Sequence, residues 1–214
     1  MSETRALAHH FDDAAQQKDA ATFGMWVFLV TEILFFGGLL MAYVVYRAAY
    51  PEAWVAASHE LDVALGGVNT AVLILSSLTM ALAVQAAQTG WRRGLLIFLV
   101  LTIALGVVFL GIKTVEYQHK FAEHHVPGAS FRFEGPHARG AQLFFALYFA
   151  MTGMHAAHMV IGIGLLLNLM RQAAAGRFMP AWYTPVEMMG LYWHFVDIVW
   201  IFLFPLLYLV GRHG

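Results

Sequence analysis

The sequence predicts an all-α fold, a polytopic membrane helical bundle with five transmembrane helices. Of its 214 residues, 60% are hydrophobic and only 12% are charged, whereas soluble domains are nearer half apolar and a quarter charged. Five apolar stretches each reach the roughly 20 residues that a membrane-spanning helix needs. These stretches lack the residue-by-residue alternation that is typical of outer-membrane strands.

The charge and the cysteine content exclude several classes of function. The formal net charge of -1 leaves no basic surface, so we expect no nucleic-acid partner. The chain has no cysteine, which excludes disulfides, zinc ribbons, iron–sulfur clusters and c-type haem attachment. This composition also argues against a water-soluble enzyme.

The first 21 residues are polar and precede the apolar stretches. They show no positively charged start followed by an apolar run and a cleavage site, so we expect no secretory signal. The sequence therefore predicts a polar N-terminal cytoplasmic or interfacial segment, residues 1–21, and one membrane domain, residues 22–211.

The five spans are separated by turn signals and charged residues. In chain order they are predicted at residues 22–47, 63–88, 94–117, 140–170 and 187–210. Five of the six prolines lie between spans, where they cannot interrupt a helix. The sixth, Pro205, should kink the last helix near its end, which membrane helices tolerate.

Glu32 is the acid of the first span. It lies about ten residues into that helix, or roughly 15 Å along it, and an acid at this depth costs about 2.5–3.5 kcal/mol on insertion scales. Its sequence neighbours within one turn are apolar and provide no partner base. One hypothesis is an acid that handles protons or faces a polar site. The alternative is a protonated acid that donates one hydrogen bond to a neighbouring helix.

Histidines and a second acid lie in the last two spans. His194 and Asp197 are three residues apart, on one helical face, which favours a structural pair and leaves a proton relay as the alternative. His155 and His158 have the same spacing in the fourth span. Neutral histidines commonly bond between membrane helices, but with His194 they also leave haem or metal ligation open.

Charged residues also gather around the longest loop. Lys113 is three residues before Glu116, which is interpreted as an interfacial ion pair rather than a transport site. The polar loop itself is interpreted as solvated, with metal binding as the alternative. The residues that raise that alternative are Glu116, His119, Glu123, His124, His125, Glu134 and His137.

Five motifs, in order, resemble one known family. Residues 192–204, YWHFVDIVWIFLF, are similar to the signature helix of subunit III of haem-copper terminal oxidases, that is, cytochrome c oxidase and its quinol-oxidising relatives. The other matching motifs are FLVTEILFF at 28–36, Asn69-Thr70 with Ser76-Ser77, FLGIK at 109–113 with Glu116-Tyr117, and TGMHAAHMVIG at 152–162.

The resemblance covers about residues 22–210. The chain differs from the better-known family form in one feature. That form has seven helices, and this chain resembles the last five of them. The first two form one wall of a phospholipid-holding cleft, so Arg171, at the end of the fourth span, is the remaining candidate for contact with a lipid headgroup. The resemblance implies a cytoplasmic N-terminus and a periplasmic C-terminus in the bacterial inner membrane, and the basic residues of the two shortest loops agree.

The resemblance implies a non-catalytic subunit of a proton-pumping oxidase that reduces oxygen to water. It implies no redox centre or catalytic residue in this chain, with haems and copper in subunits I and II. Subunit I is the main partner, followed by subunit II, a small subunit IV or a larger supercomplex, and membrane lipids. Glu32 corresponds to the family's buried, carbodiimide-reactive glutamate. His155, His158, His194 and Asp197 would hold the bundle together through interhelical hydrogen bonds.

Three alternatives stay open at this point. A related protein accompanies nitric oxide reductases and would carry much the same motifs, and neighbouring genes would distinguish it. A bis-histidine haem protein would show a haem absorption band in the isolated chain. An independent proton channel would conduct protons in liposomes without partners.

Overall fold

The computed structural model describes residues 11–128, 130–133, 136–178, 180 and 182–212. Within these ranges the chain forms six helices and no extended strand. Their bounds are α1 Ala14–Ala49, α2 Pro51–His59, α3 Val63–Gln88, α4 Arg92–Ala122, α5 Ala138–Ala174 and α6 Thr184–Tyr208. The predicted all-α fold class is confirmed.

The helices α1, α3, α4, α5 and α6 are each long and apolar enough to cross a membrane. They correspond one by one to the five predicted spans, so the chain is a multi-pass membrane protein. The largest difference is at the start of α1, which begins at Ala14 within the predicted polar segment 1–21. The Asp13 carboxylate accepts a bond from the backbone N–H of Gln16 at 2.7 Å, and this N-cap lets the helix begin early. Residues 1–10 of that segment lie outside the described residues.

The short helix α2 was not predicted. Pro51 occupies its first turn, where the missing N–H costs nothing. Trp54 is fully buried, and its ring meets that of Phe144 on α5 at 5.7 Å, edge to face. Nine residues are too few to show a helical hydrophobic period, so only the tertiary contact reveals this helix.

The centre of the bundle lies where α3, α4, α5 and α6 meet around Trp193. This α6 residue is fully buried, and its indole N–H donates to Ser76 Oγ on α3 at 3.0 Å. Gly106 on α4 and Gly162 on α5 lie so near that an added Cβ would come within 3.0 and 2.9 Å of the indole ring. Small residues on three helices therefore make room for one large side chain.

Two arginines close the ends of the bundle. Arg92, at the start of α4, donates its Nε–H to the carbonyl of Ala173 at 3.2 Å and bonds the carbonyl of Ala174 as well. These carbonyls lie in the last turn of α5, where the regular hydrogen bonding of the helix ends. Arg212 reaches back to the carbonyl of Leu61 at 3.0 Å. Arg92 thus ties the start of α4 to the end of α5, and Arg212 ties the end of α6 to the segment between α2 and α3.

The glycine at the contact of α2 with α5 provides a stability test. A Cβ at Gly140 would lie 2.5 Å from the Cβ of Ala53, so Gly140→Ala should destabilise the chain by about 1–3 kcal/mol. Gly164→Ala, on the same helix, meets nothing within 4 Å and should be neutral or stabilising by about 0.5–1 kcal/mol. Thermal melting followed by circular dichroism in detergent measures both. Equal melting temperatures would contradict the packing argument.

Candidate functional site

Glu32 meets His158 at the contact of α1 with α5. The carboxylate Oε2 lies 3.0 Å from the imidazole Nε2, and the two side chains are 17% and 13% exposed. Nδ1 of the same imidazole lies 2.9 Å from the carbonyl oxygen of Met154, one turn earlier in α5. Glu32, which has no partner within its own helix, therefore pairs with a base 126 residues further along the chain.

The hydrogen bond of this pair requires a proton between its two atoms. A carbonyl oxygen only accepts hydrogen bonds, so Nδ1 of His158 must carry a proton to bond Met154. Nε2 and the Glu32 oxygen then bond only if one further proton lies between them. That proton belongs either to the carboxyl group or to the imidazole, and the pair is neutral overall in both cases. With one shared proton, the Glu32–His158 dyad is therefore a neutral hydrogen-bonded pair.

Aromatic residues surround the dyad. The ring of Phe36 on α1 lies 5.4 Å from the His158 ring. The hydroxyl of Tyr192 on α6 donates to the backbone carbonyl of His158 at 2.9 Å. The dyad therefore lies where α1, α5 and α6 meet, and it supplies a polar link that holds α1 to the other helices.

His194 and Asp197 do not form the expected pair. His194 Nδ1 instead lies 2.6 Å from the hydroxyl of Ser77 on α3. Asp197 is 2% exposed, and neither of its carboxylate oxygens has a hydrogen-bond partner among the described residues. The spacing of three does put both side chains on one face of α6, but the imidazole turns towards α3.

His155 lies deeper in the bundle than the other histidines and is fully buried. Its ring is 5.3 Å from that of Phe109 and 5.2 Å from that of Trp200. Neither ring nitrogen has a hydrogen-bond partner within the described part of the chain. His155 and Asp197 therefore do not form the predicted interhelical hydrogen bonds among the described residues. Aromatic rings pack around His155, and Asp197 lines an apolar groove.

Lys113 and Glu116 form the predicted ion pair, with Nζ and Oε2 3.1 Å apart, but both are nearly fully buried, 4% and 3% exposed. Tyr148 on α5 donates to Glu116 Oε1 at 2.5 Å, and Tyr208 on α6 bonds the same oxygen. The ammonium also contacts both hydroxyls, at 3.1 and 2.9 Å. The Lys113–Glu116 cluster is therefore a closed polar network that joins three helices.

Four aromatic rings enclose the Lys113 ammonium. Their centroids lie 5.0–5.6 Å from Nζ, within the range of cation–π attraction. The rings are those of Tyr117, Tyr148, Trp200 and Tyr208. Sequence reasoning missed the two hydroxyl partners, although a tyrosine inside an apolar span is a signal that could have indicated them.

The family of the chain follows from a comparison of its whole sequence. A family model described as cytochrome c oxidase subunit III matches residues 2–212. The chain belongs to the cytochrome c oxidase subunit III family. The resemblance of the five motifs to subunit III is thereby confirmed.

Relatives in this subunit III family span both kinds of terminal oxidase. The cytochrome c oxidase subunit 3 of Thermostichus vulcanus is 34% identical over 211 residues, 98% of this chain and 97% of the relative. The cytochrome bo(3) ubiquinol oxidase subunit 3 of Pseudomonas aeruginosa is 30% identical over 214 residues, 99% of this chain and 95% of the relative. The quinol oxidase subunit 3 of Bacillus spizizenii is 31% identical over 191 residues, 89% of this chain and 87% of the relative.

The loop after α4 in this subunit III chain forms a charged cluster rather than a ring of ligands. Glu123 Oε2 lies 2.5 Å from Lys120 Nζ and 3.3 Å from His125 Nδ1. His137 lies instead near Glu52, with 3.6 Å between Nε2 and Oε2. No group of three histidines and acids in the described ranges is arranged to hold a metal. Glu134 lies outside the described residues.

The remaining candidates for a ligand role differ in exposure. Arg171 is exposed in the last turn of α5. Of the histidines considered as haem ligands, His155 packs between the rings of Phe109 and Trp200. His158 uses both ring nitrogens, and His194 uses Nδ1.

The cluster after α4 predicts a pH effect on stability. Partial burial raises the pKa of Glu123, but the hydrogen bond and charge of Lys120, with His125, lower it below the ordinary 4.5. A lowered pKa stabilises the fold above the unfolded value and loses that effect as the pH falls through the folded value. We expect Glu123→Gln to flatten the fall in melting temperature below about pH 4.5. Identical pH profiles for wild type and variant would contradict this, and Glu52→Gln is the exposed control.

Proposed function

We propose that the chain is the non-catalytic subunit III of a proton-pumping haem-copper respiratory oxidase that reduces oxygen to water. It lies in the bacterial inner membrane with a cytoplasmic N-terminus and a periplasmic C-terminus. It packs against subunit I, supports proton uptake by that subunit, and protects its metal centre during turnover. Family membership and the names of the relatives, which include cytochrome c and quinol oxidases, support this proposal.

The proposal assigns the redox chemistry to partner subunits. Subunits I and II hold the haems and copper, and this chain contributes no catalytic residue. A small subunit IV or a supercomplex belongs to the wider assembly, and phospholipids contact the cytoplasmic end, where Arg171 is exposed. The packed or bonded state of the three histidines supports this division of labour.

The single observation that carries the proposal is the Glu32–His158 dyad. Its two neutral forms, a carboxylic acid with a neutral imidazole and a carboxylate with an imidazolium, hold one proton at 3.0 Å. Loss of this proton removes the bond between Oε2 and Nε2, because a carboxylate oxygen and an unprotonated Nε2 both only accept hydrogen bonds. Proton occupancy is therefore coupled to the contact of α1 with α5. A site of this kind holds a proton inside the membrane without a net charge.

Two substitutions at Glu32 separate the proton from the hydrogen bond. In Glu32→Gln the amide N–H still donates to Nε2, but no proton can be released. In Glu32→Leu both are lost. We expect Gln to remove the infrared carboxyl band of Glu32 and to slow oxidase turnover at high pH, where proton uptake limits the rate. We expect Glu32→Leu also to reduce the number of turnovers that the complex completes before it is inactivated, because the contact of α1 with α5 is weakened.

Purification of the tagged chain in mild detergent tests the assignment itself. We expect subunits I and II to co-purify, with the haem spectrum leaving when they are stripped away. A lone chain that retains haem, or co-purification of reductase subunits, would overturn the oxidase assignment. Wild-type turnover of Glu32→Gln at every pH would overturn only the proton-handling role.

A further inference from the structure

Three polar side chains meet at a groove of about 370 Å³ between α3 and α6. Ser77 comes from α3, and His194 and Asp197 come from α6, whereas the other lining residues are apolar. Ser77 and Asp197 lie near the midpoints of helices of 26 and 25 residues, both long and apolar enough to cross a membrane. Ionisable groups at this depth are costly and mark functional sites more often than surface ones do.

The Ser77 hydroxyl lies between the two residues of α6. Its Oγ is 2.6 Å from Nδ1 of His194. The same hydroxyl is the polar group that acts on the Asp197 carboxyl, although in the described geometry neither carboxyl oxygen forms a regular hydrogen bond. A hydroxyl group can donate one hydrogen bond and accept another at the same time. Ser77 is therefore placed to connect a carboxyl and an imidazole that do not bond each other.

The two ends of this arrangement differ in their access to the groove. Both oxygens of Asp197 are closed off from the surface of the chain, and the residue is 2% exposed. Nε2 of His194 bonds no described residue, but it is not among the atoms that are closed off. A proton that leaves the carboxyl must pass to a group in contact with it. Ser77 is that group, and the imidazole is the next one towards the groove.

The other charged groups within the described spans are engaged elsewhere. Helix α3 contains no acidic or basic residue. His155 of α5 packs against the ring of Trp200. The remaining groups bond each other in two pairs, Glu32 with His158 and Lys113 with Glu116. Asp197 therefore has one polar route out of the bundle.

We propose that Asp197, Ser77 and His194 form a proton relay, in which the buried carboxyl holds a proton and exchanges it at the groove through the hydroxyl and the imidazole. In the resting form the carboxyl is protonated, because a buried carboxylate with one neutral donor is costly. Ser77 then donates to the unprotonated Nδ1, and Nε2 carries the proton of the ring.

Release moves three protons and removes one. Nε2 gives its proton to a water molecule at the groove, Nδ1 takes the proton of the Ser77 hydroxyl, and Oγ takes the proton of Asp197. A carboxylate, a hydroxyl group and a neutral imidazole protonated at Nδ1 remain. Uptake is the reverse sequence. The transfer requires Ser77 to bond the carboxyl as well as the imidazole, so Ser77 is the gate of the relay.

The relay is separate from the Glu32–His158 dyad and does not depend on the proposed function. Tyr192 faces the dyad, since its hydroxyl bonds the carbonyl of His158. His194 lies two residues further along α6, or roughly 200° around the helix. The chain therefore carries two proton-holding sites on different faces of one helix.

Hydrogen–deuterium exchange followed by infrared spectroscopy tests the relay in the full chain in detergent. The carboxyl band of Asp197 is assigned by its loss in Asp197→Asn, and the amide band of the same spectra measures opening of the bundle. We expect the Asp197 band to shift in D₂O before the slow amides exchange. Absence of a protonated Asp197 band, or its exchange only together with those amides, would overturn the proposal.

Two variants interrupt the relay at different points. Ser77→Ala and His194→Ala should each slow exchange of the Asp197 band about a hundred-fold, the lower range of what a positioned proton-transfer group contributes. Imidazole added to the buffer should restore exchange in His194→Ala but not in Ser77→Ala, where the inner link is missing. Thr114→Val is the control, because that hydroxyl bonds the carbonyl of Leu110 in its own helix, and it should exchange as wild type does.

The outcomes also separate this proposal from the oxidase assignment. A wild-type exchange rate in His194→Ala, or rescue of Ser77→Ala by imidazole, would overturn the relay. If Ser77→Ala opens the bundle, which faster amide exchange would reveal, the slowing in His194→Ala and its reversal by imidazole still decide. Failure of subunit I to co-purify would overturn the oxidase assignment and leave the relay unaffected.

Discussion

Replacing Glu116 with leucine is expected to lower the free energy of unfolding by about 3–5 kcal/mol, the range found when one partner of a buried ion pair is removed. The Lys113 ammonium, 4% exposed, would remain charged inside the bundle without its anion. The hydroxyls of Tyr148 and Tyr208 would lose the oxygen that both contact. Three helices would therefore lose their shared polar link at once.

A double substitution separates the charge from the packing. Replacing Lys113 with methionine in the same chain removes the stranded ammonium, and apolar replacements of a whole buried pair are often neutral. We expect Lys113→Met with Glu116→Leu to regain much of the stability that Glu116→Leu loses, as measured by thermal melting in detergent. Lys18→Met removes the exposed pair with Glu187 and should cost at most about 1 kcal/mol. Equal losses in the single and double variants would contradict this account.

Trp193→Ala is expected to cost about 3–5 kcal/mol, the range for deleting a large aromatic side chain from a core. The indole fills the space between four helices, and Gly106 and Gly162 cannot close the cavity without a backbone shift. Trp193→Phe keeps a ring in the core but leaves Ser76 without the indole N–H. The lost hydrogen bond should cost about 0.5–1.5 kcal/mol, with some loss of packing in addition.

The stability losses of the Trp193 variants can be measured by melting followed through the helical circular dichroism signal, which does not depend on tryptophan fluorescence. Trp26, 56% exposed on α1, provides the matched control, since Trp26→Ala removes an indole that the bundle does not enclose. We expect Trp26→Ala to melt close to wild type. A loss in Trp193→Phe as large as that in Trp193→Ala would show that the hydrogen bond, not the volume, stabilises the centre.

The five spans could be predicted because hydropathy is a local property. A stretch of apolar residues must be helical in lipid, where each backbone group needs an internal partner. The predicted and observed bounds of α3 are therefore identical, residues 63–88. The end of α4 differs by five residues, Ala122 rather than 117, because Lys120 continues the helix while bonding the carbonyl of Glu60.

The partners of the polar side chains could be predicted only in part. The spacing of three correctly paired Lys113 with Glu116, because both are on one turn of one helix. The same spacing did not pair His194 with Asp197, because Ser77 on another helix is the partner of the imidazole. Helical periodicity predicts on which face of its helix a side chain lies. It does not predict which residues of other helices contact that face. His158 was singled out, but its contact with Glu32 depends on how α1 packs on α5.

The pairing of Glu32 with His158 sets a condition on biosynthesis. Helix α1 leaves the ribosome before α5, and 126 residues separate the acid from its imidazole. At about 5–20 residues per second, roughly 6–25 s pass between their synthesis. During that interval α1 carries an acid whose insertion alone costs about 2.5–3.5 kcal/mol. Helix α1 can therefore complete this contact only after α5 has entered the bilayer.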